Sequence, residues 1–166
     1  MSQIFTVFIG LGSNLGNKEE NIEKTLTLIN ENHKIILVSK LYASEPWGFE
    51  SKSKFVNAVI CIQTKNDPLS LFNNLKDIES KLGRKKTKTG EYEDRVIDLD
   101  ILFYENEIIE NEIIKIPHKE IQNRKFVLEP LNEIASHFVH PILNKPIYQL
   151  LAECKDNTLL EQIVVK

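Results

Sequence analysis

The chain predicts an α+β fold, a ferredoxin-like split βαβ with a mainly antiparallel sheet flanked by helices. Three observations carry this expectation. Dense runs of Val, Ile, Leu and Phe mark strands near residues 4–11, 35–42, 55–64 and 95–103. Apolar residues recurring every three or four positions mark helices near 18–30 and 68–82. The resulting order is β-α-β-β-α-β, that of a split βαβ unit. Residues 1–166 read as one domain, with no internal repeat, low-complexity tract or Pro/Gly-rich linker.

Ile4 to Leu11 is the first strand, and Gly10, Gly12 and Gly16 then bracket a turn running to Asn17. Asn17 suits the N-cap of a helix from Lys18 to Asn30, whose Ile22, Leu26 and Ile29 share a face. Ile35 to Tyr42 is the second strand. A polar stretch with Pro46 and Gly48 follows from Ala43 to Lys54, and loops of about a dozen residues are often functional. Phe55 to Thr64 is a third strand, paired with the second across that loop. Pro68 opens a helix with Leu71, Leu75, Ile78 and Leu82 on one face, and Gly83 ends it. A second polar loop, Arg84 to Asp94, leads into the apolar run Arg95 to Phe103. Glu107 to Ile116 suits one or two short strands, and Pro117-His118 a turn. Phe126 to Ala135 is a short helix carrying Pro130, followed by the segment Ile147 to Ala152 and a last strand from Gln162 to Val165.

Composition narrows the function. A hydrophobic content of 42% and a charged content of 27% are those of an ordinary soluble domain. The net charge of -3 argues against a general nucleic-acid binder. Cys61 and Cys154 form no Cys-x-x-Cys pair and have no zinc-spaced His partners. Cys61, inside an apolar run, reads as a buried reduced thiol, consistent with a reducing cytoplasm. No signal peptide is expected at the N-terminus, and no apolar run approaches the ~20 residues that cross a bilayer. A cytoplasmic monomer with neither nucleic-acid nor membrane partners is the expectation.

Asp98 and Asp100 stand two apart in Arg95-Val96-Ile97-Asp98-Leu99-Asp100-Ile101-Leu102-Phe103. On a strand they project from one face, with Leu99, Ile101 and Phe103 on the other. Two neighbouring carboxylates resist ionisation unless a cation joins them. Mg²⁺ is usually held by one or two carboxylates plus substrate phosphates. A solvated acidic strand face is the alternative. The turn from Gly10 to Gly16 follows a strand and precedes a helix, where anions can bind, but it lacks both the P-loop and the dinucleotide spacing and reads first as a plain structural turn. Trp47 and Phe49, on a polar loop, suit stacking on a flat heterocycle or service as core anchors. Asn57, inside an apolar strand, needs partners from a ligand edge or from neighbouring backbone. Glu79 reads as a solvated helix residue. Pro117-His118-Lys119 and Asn123-Arg124-Lys125 add cations of the kind a polyphosphate requires. His137-Phe138-Val139-His140, without other donors, reads as structural.

Taken in order, these blocks resemble the 6-hydroxymethyl-7,8-dihydropterin pyrophosphokinase family of the folate pathway. The matching residues are Gly10-Leu11-Gly12-Ser13-Asn14-Leu15-Gly16, Phe55-Val56-Asn57-Ala58, Ile78-Glu79 with Leu82-Gly83-Arg84, and Arg95 with Asp98-Leu99-Asp100-Ile101-Leu102. They end with Pro117-His118 and Asn123-Arg124 with Phe126-Val127-Leu128 and Pro130-Leu131. The resemblance covers roughly Ile4 to Leu151. It implies transfer of the β,γ-pyrophosphoryl group of ATP to the hydroxymethyl group of the pterin, with AMP released. It implies two Mg²⁺ ions on Asp98 and Asp100, and Arg95 and Lys86 as further catalytic residues. The ATP side would use Glu79, Lys86, Arg95, Ile101, His118, Lys119 and Arg124. The pterin side would use Ser44, Glu45, Trp47, Phe55, Asn57 and Phe126, with Tyr92 as an aromatic lid. Tyr92-Glu93-Asp94 stands where many members carry aromatic-Gly-Pro, Lys76 where some have Gln, Lys119 where Tyr can occur, and Ile113 where some have Arg. A nucleotidyltransferase and a non-catalytic binding domain are the rival readings. The first would release pyrophosphate, and the second would turn nothing over.

Overall fold

Alternation along β1 (Phe5–Ser13) sends Val7, Ile9 and Leu11 to one face and Phe8, Gly10 and Gly12 to the other. The two faces build two cores, and the sheet is the middle of three layers. The computed structural model describes residues 3–46, 53–83 and 94–164. On the first face lie α1 (Lys18–Asn32) and α2 (Pro68–Lys81), which bring Ile22, Ile29, Leu71, Leu75 and Ile78 against Val7, Ile9 and Leu11. Asn17 caps α1 through the Glu20 N–H, and Asp67 caps α2 through the Ser70 N–H. Gly83, at φ +93°, follows α2 in the left-handed conformation that ends helices. The second face is covered by α3 (Lys125–Ala135) and α4 (Ile147–Glu153), with Val127, Leu128, Leu131, Ile147 and Leu150 over Phe8, Val59 and Phe103. Each fully buried Leu, Ile or Phe contributes about 1.5–3 kcal/mol of transfer free energy.

The longest strand, β4 (Phe55–Thr64), pairs with β1 on one side. Its other side takes β2 (Lys34–Val38) and β3 (Leu41–Ser44) in tandem, and β8 (Leu160–Ile163) adds to β3. Beyond β1 lies β5 (Asp98–Tyr104), and every pairing is antiparallel. This is the predicted split βαβ. A small ribbon of β6 (Ile109–Glu110) and β7 (Lys115–Ile116) follows β5, and a 3-10 turn at Ile121–Asn123 precedes α3. None of the described helices is long and apolar enough to cross a membrane.

Four local expectations change. The first strand runs through Gly10 and Gly12 to Ser13, so those glycines belong to the sheet and the turn begins at Asn14. The second strand is two strands, because Ser39 exchanges hydrogen bonds with Val59 through its own N–H and Oγ and bends the chain there. The register shifts on β5, where Phe8 faces Phe103 but Ile9 faces Ile101. Leu102 is the extra residue of that β-bulge, so Phe103 turns to the α3 side with Leu102, and Tyr104 takes the α1 side. Strict alternation would have placed Phe103 with Leu99 and Ile101. The strand also starts at Asp98, later than the apolar run begins.

Candidate active site

On β5, Asp98 lies opposite Gly12 and Asp100 opposite Gly10. A Cβ on Gly12 would meet Asn57 Oδ1 at 3.4 Å and Phe55 at 3.5 Å, and a Cβ on Gly10 would meet Leu102 at 3.4 Å. The missing side chains leave an open cleft above the sheet beside the carboxylate pair. Its walls include Ser44, Glu45, Phe55, Asn57, Arg95, Asp98, Asp100, His118, Arg124 and Phe126. Strand alternation therefore brings both aspartates to one face, as the sequence predicts.

The pair is electrostatically strained, since each carboxylate opposes the ionisation of the other. Asp100 keeps 36% of its side-chain surface, facing the cleft, yet protein crowds its carboxyl. Desolvation first, then the Asp98 charge, pushes its pKa up to about 7, against the pull of Lys76 and Arg124. Arg95 meets Asp98 at 3.4 Å through Nη1. Among the described residues, no three His, Cys, Asp or Glu side chains converge as a protein-only metal cage. Two hard carboxylates beside an open cleft instead match the habit of Mg²⁺, which leaves most of its coordination to phosphates and water.

His118 sits 4.0 Å from Asp100 Oδ2 through Nε2. Its N–H bonds the Leu102 carbonyl, which ties it to β5. Burial, then the Arg124 charge, holds its pKa down at about 4. Its Nδ1 accepts the Glu120 N–H, so the neutral ring carries its proton on Nε2, toward the aspartates. Arg124 is buried at the entry to α3, with its guanidinium 5.7 Å from the centre of the Phe126 ring. Across the cleft, Asn57 donates from Nδ2 to Ser44 Oγ at 2.7 Å and to the Tyr42 carbonyl at 3.2 Å. Those bonds fix the amide with Oδ1 on the Gly12 side.

A second recess lies at the edge of β5. Its walls include Phe72, Leu75, Ile101, Ile113, Ile116 and Lys119. It shares Asp100 and His118 with the first cleft, so the two cavities meet at those two residues. Glu79 lines neither. It is 3% exposed, accepts the Leu99 N–H at 2.9 Å, and pairs with Lys76 at 3.1 Å. The surface role read from its helix position is thus corrected: Glu79 braces the backbone between the two aspartates.

The predicted residues Ser44, Glu45, Phe55, Asn57, Arg95, Asp98, Asp100, His118, Arg124 and Phe126 come together in one cleft, with Ile101 and Lys119 in the adjoining recess. Trp47, Lys86 and Tyr92 lie outside the described residues. Gly10 and Gly12, which the sequence places in a turn, are cleft residues as well, because the register of β1 on β5 sets them opposite the aspartates. The two histidines of His-x-x-His are structural, as expected. His140 Nδ1 accepts the Ile142 and Leu143 N–H groups, and His137 packs edge-on against Tyr148. Cys61 is buried, and burial pushes its thiol pKa up.

Comparison with known proteins gives the site its relatives. Residues 8–136 match the family model of 7,8-dihydro-6-hydroxymethylpterin-pyrophosphokinase. The chain is 38% identical over 155 residues to the 2-amino-4-hydroxy-6-hydroxymethyldihydropteridine pyrophosphokinase of Aquifex aeolicus, covering 93% of each. It is also 38% identical to the Haemophilus influenzae protein of the same name, over 95% of this chain and 98% of that one. The folic acid synthesis protein fol1 of Schizosaccharomyces pombe is 36% identical over 87% of this chain, which spans only 20% of that longer protein. Among solved structures, wild-type HPPK-DHPS of Plasmodium falciparum with pteroate superposes with a TM-score of 0.76 at 19% identity. It is matched over 92% of this chain, which spans 45% of that one.

Proposed function

The chain belongs to the 7,8-dihydro-6-hydroxymethylpterin-pyrophosphokinase family, and from that premise we propose how its site divides the reaction. Acting as a single domain and a monomer in the cytoplasm, the protein transfers the β,γ-pyrophosphoryl group of ATP to the hydroxymethyl group of 6-hydroxymethyl-7,8-dihydropterin. AMP and the pterin diphosphate are the products. The observation that carries the division is the meeting of two recesses at Asp100 and His118. A reaction joining two substrates needs its charged centre between two pockets.

The pterin takes the cleft of Ser44, Glu45, Phe55, Asn57 and Phe126. Phe55 and Phe126 are its walls, and the amide of Asn57 reads the heterocycle edge. Trp47 and Tyr92 belong to the same side. The nucleotide takes the recess at the β5 edge, with the Ile101 backbone meeting adenine. Glu79 holds the floor of that recess from behind. Arg95, Arg124, Lys119 and Lys86 neutralise the triphosphate, and the Nε2–H of His118 donates to a phosphate oxygen. Asp98 and Asp100 would hold two Mg²⁺ ions, which would screen the triphosphate and lower the pKa of the pterin hydroxyl. The hydroxymethyl oxygen attacks the β-phosphorus in line, and the bond to the AMP oxygen breaks. Catalysis is mainly alignment and charge neutralisation, with water excluded so that it does not accept the group.

Replacing Asp98 or Asp100 by Ala tests this reading. AMP formation from Mg-ATP and the pterin should fall at least about a hundredfold. Turnover near that of the parent protein would overturn the metal role. Release of pyrophosphate instead of AMP would favour nucleotidyl transfer.

A further inference from the structure

Asn14 lines neither recess, yet it is fully buried and all its polar groups are engaged. Its Oδ1 accepts the Arg95 N–H at 2.6 Å, and its own N–H donates to the Arg95 carbonyl at 3.0 Å. Its Nδ2 donates to Asp94 Oδ1 at 2.6 Å. Its carbonyl accepts from Ser53 Oγ at 2.7 Å, two residues before Phe55 of the pterin wall.

The β1–β5 ladder ends at the pair Gly12–Asp98. Arg95 therefore lies beyond the strand, and sheet pairing does not align it. Asn14 extends the alignment by gripping the Arg95 main chain at both its N–H and its C=O. The Arg95 guanidinium then reaches Asp98 at 3.4 Å. We infer that Asn14 is a positioning residue for the transfer reaction, setting Arg95 against the carboxylate pair by holding its backbone. The inference rests on the reaction proposed above.

The chemistry explains why the residue is Asn. One side chain must accept from an amide and donate to a carboxylate at once. An ionised Asp has no donor, and a Ser hydroxyl sits on a shorter arm. No water competes at a fully buried site, so each bond is costly to leave unmade. The Ser53 contact is to the Asn14 main chain, so a side-chain substitution leaves that link to the pterin wall in place.

Three variants test the role, with the parent protein as control. Asn14→Asp places two carboxylates where a donor met an acceptor and should lower kcat about tenfold or more. The pterin KM should stay within about twofold, because the pterin walls do not depend on the Asn14 side chain. The swap N14D/D94N restores a donor, now from position 94, and should recover most of the lost kcat. A merely structural residue would give no such split between kcat and KM at a temperature where circular dichroism shows the variants folded. If N14D does not fold, Asn14→Ser adds no charge and is read instead, with the same fall in kcat expected. Parent-like kcat in a folded Asp or Ser variant, or a folded swap no better than N14D, overturns the role alone. A parent protein that forms no AMP overturns the reaction and this role with it.

Discussion

With no cation bound, desolvation and the Asp98 charge push the Asp100 carboxyl up to about 7, so at pH 6 it is mostly protonated. Cation binding must displace that proton. Mg²⁺ affinity should therefore weaken up to about tenfold per pH unit below about 7. Calorimetry in buffers of differing ionisation heat should find about one proton released per binding event at pH 6. A pH-independent affinity would contradict the metal assignment. Gly12 makes a second residue-scale case. In Gly12→Ala the new methyl would stand in van der Waals contact with Asn57 and Phe55 and take up room in the cleft that all three line, and Asn57 is held in place by two hydrogen bonds. The pterin KM should rise about tenfold while the ATP KM stays unchanged. Equal changes in both would place the pterin elsewhere.

At the scale of elements, the bulge in β5 decides which side chains hold α3 over the cleft. Phe103 is fully buried and packs on Phe8, Phe138 and His140. Because Leu102 and Phe103 both turn to that side, β5 gives one layer its aspartates and the same layer its packing core. Phe103→Ala should cost about 3–5 kcal/mol of stability by urea unfolding, as large-to-small core changes do. It should also loosen α3, which carries Phe126, and so raise the pterin KM. A loss below about 1 kcal/mol would contradict a fully buried Phe103 packed in this core. Periodicity did not foretell this, because a one-residue bulge leaves composition unchanged and inverts the faces beyond it.

For the whole molecule, the titrating groups at the site oppose one another in the metal-free protein. Asp100 has its pKa raised on folding, so its contribution is present in acid and is lost as pH rises through about 7. His118 has its pKa lowered to about 4, so its contribution is present above about 6.5 and is lost as pH falls toward 4. The two trends offset each other across that window, while His140, held below its ordinary value by burial, adds to the acid loss. Asp100→Asn removes the first trend. In the presence of a chelator, its urea midpoint should fall more steeply than the parent's from pH 6.5 to 4.5, and parallel curves would refute the coupling. Much of this molecule was legible in the chain. Strand alternation alone put Asp98 and Asp100 on one face, and helical spacing alone chose the buried stripes of α1 and α2, because both follow from local backbone geometry. The ordered blocks likewise contain most of the residues that line the cleft. Tertiary structure alone decided that Gly10 and Gly12 are the space beside the aspartates, that Glu79 is buried against the Leu99 N–H, and that Asn14 grips Arg95 across some eighty residues of chain. Those facts depend on which strands become neighbours and in what register, and residues far apart in sequence carry no local sign of that pairing.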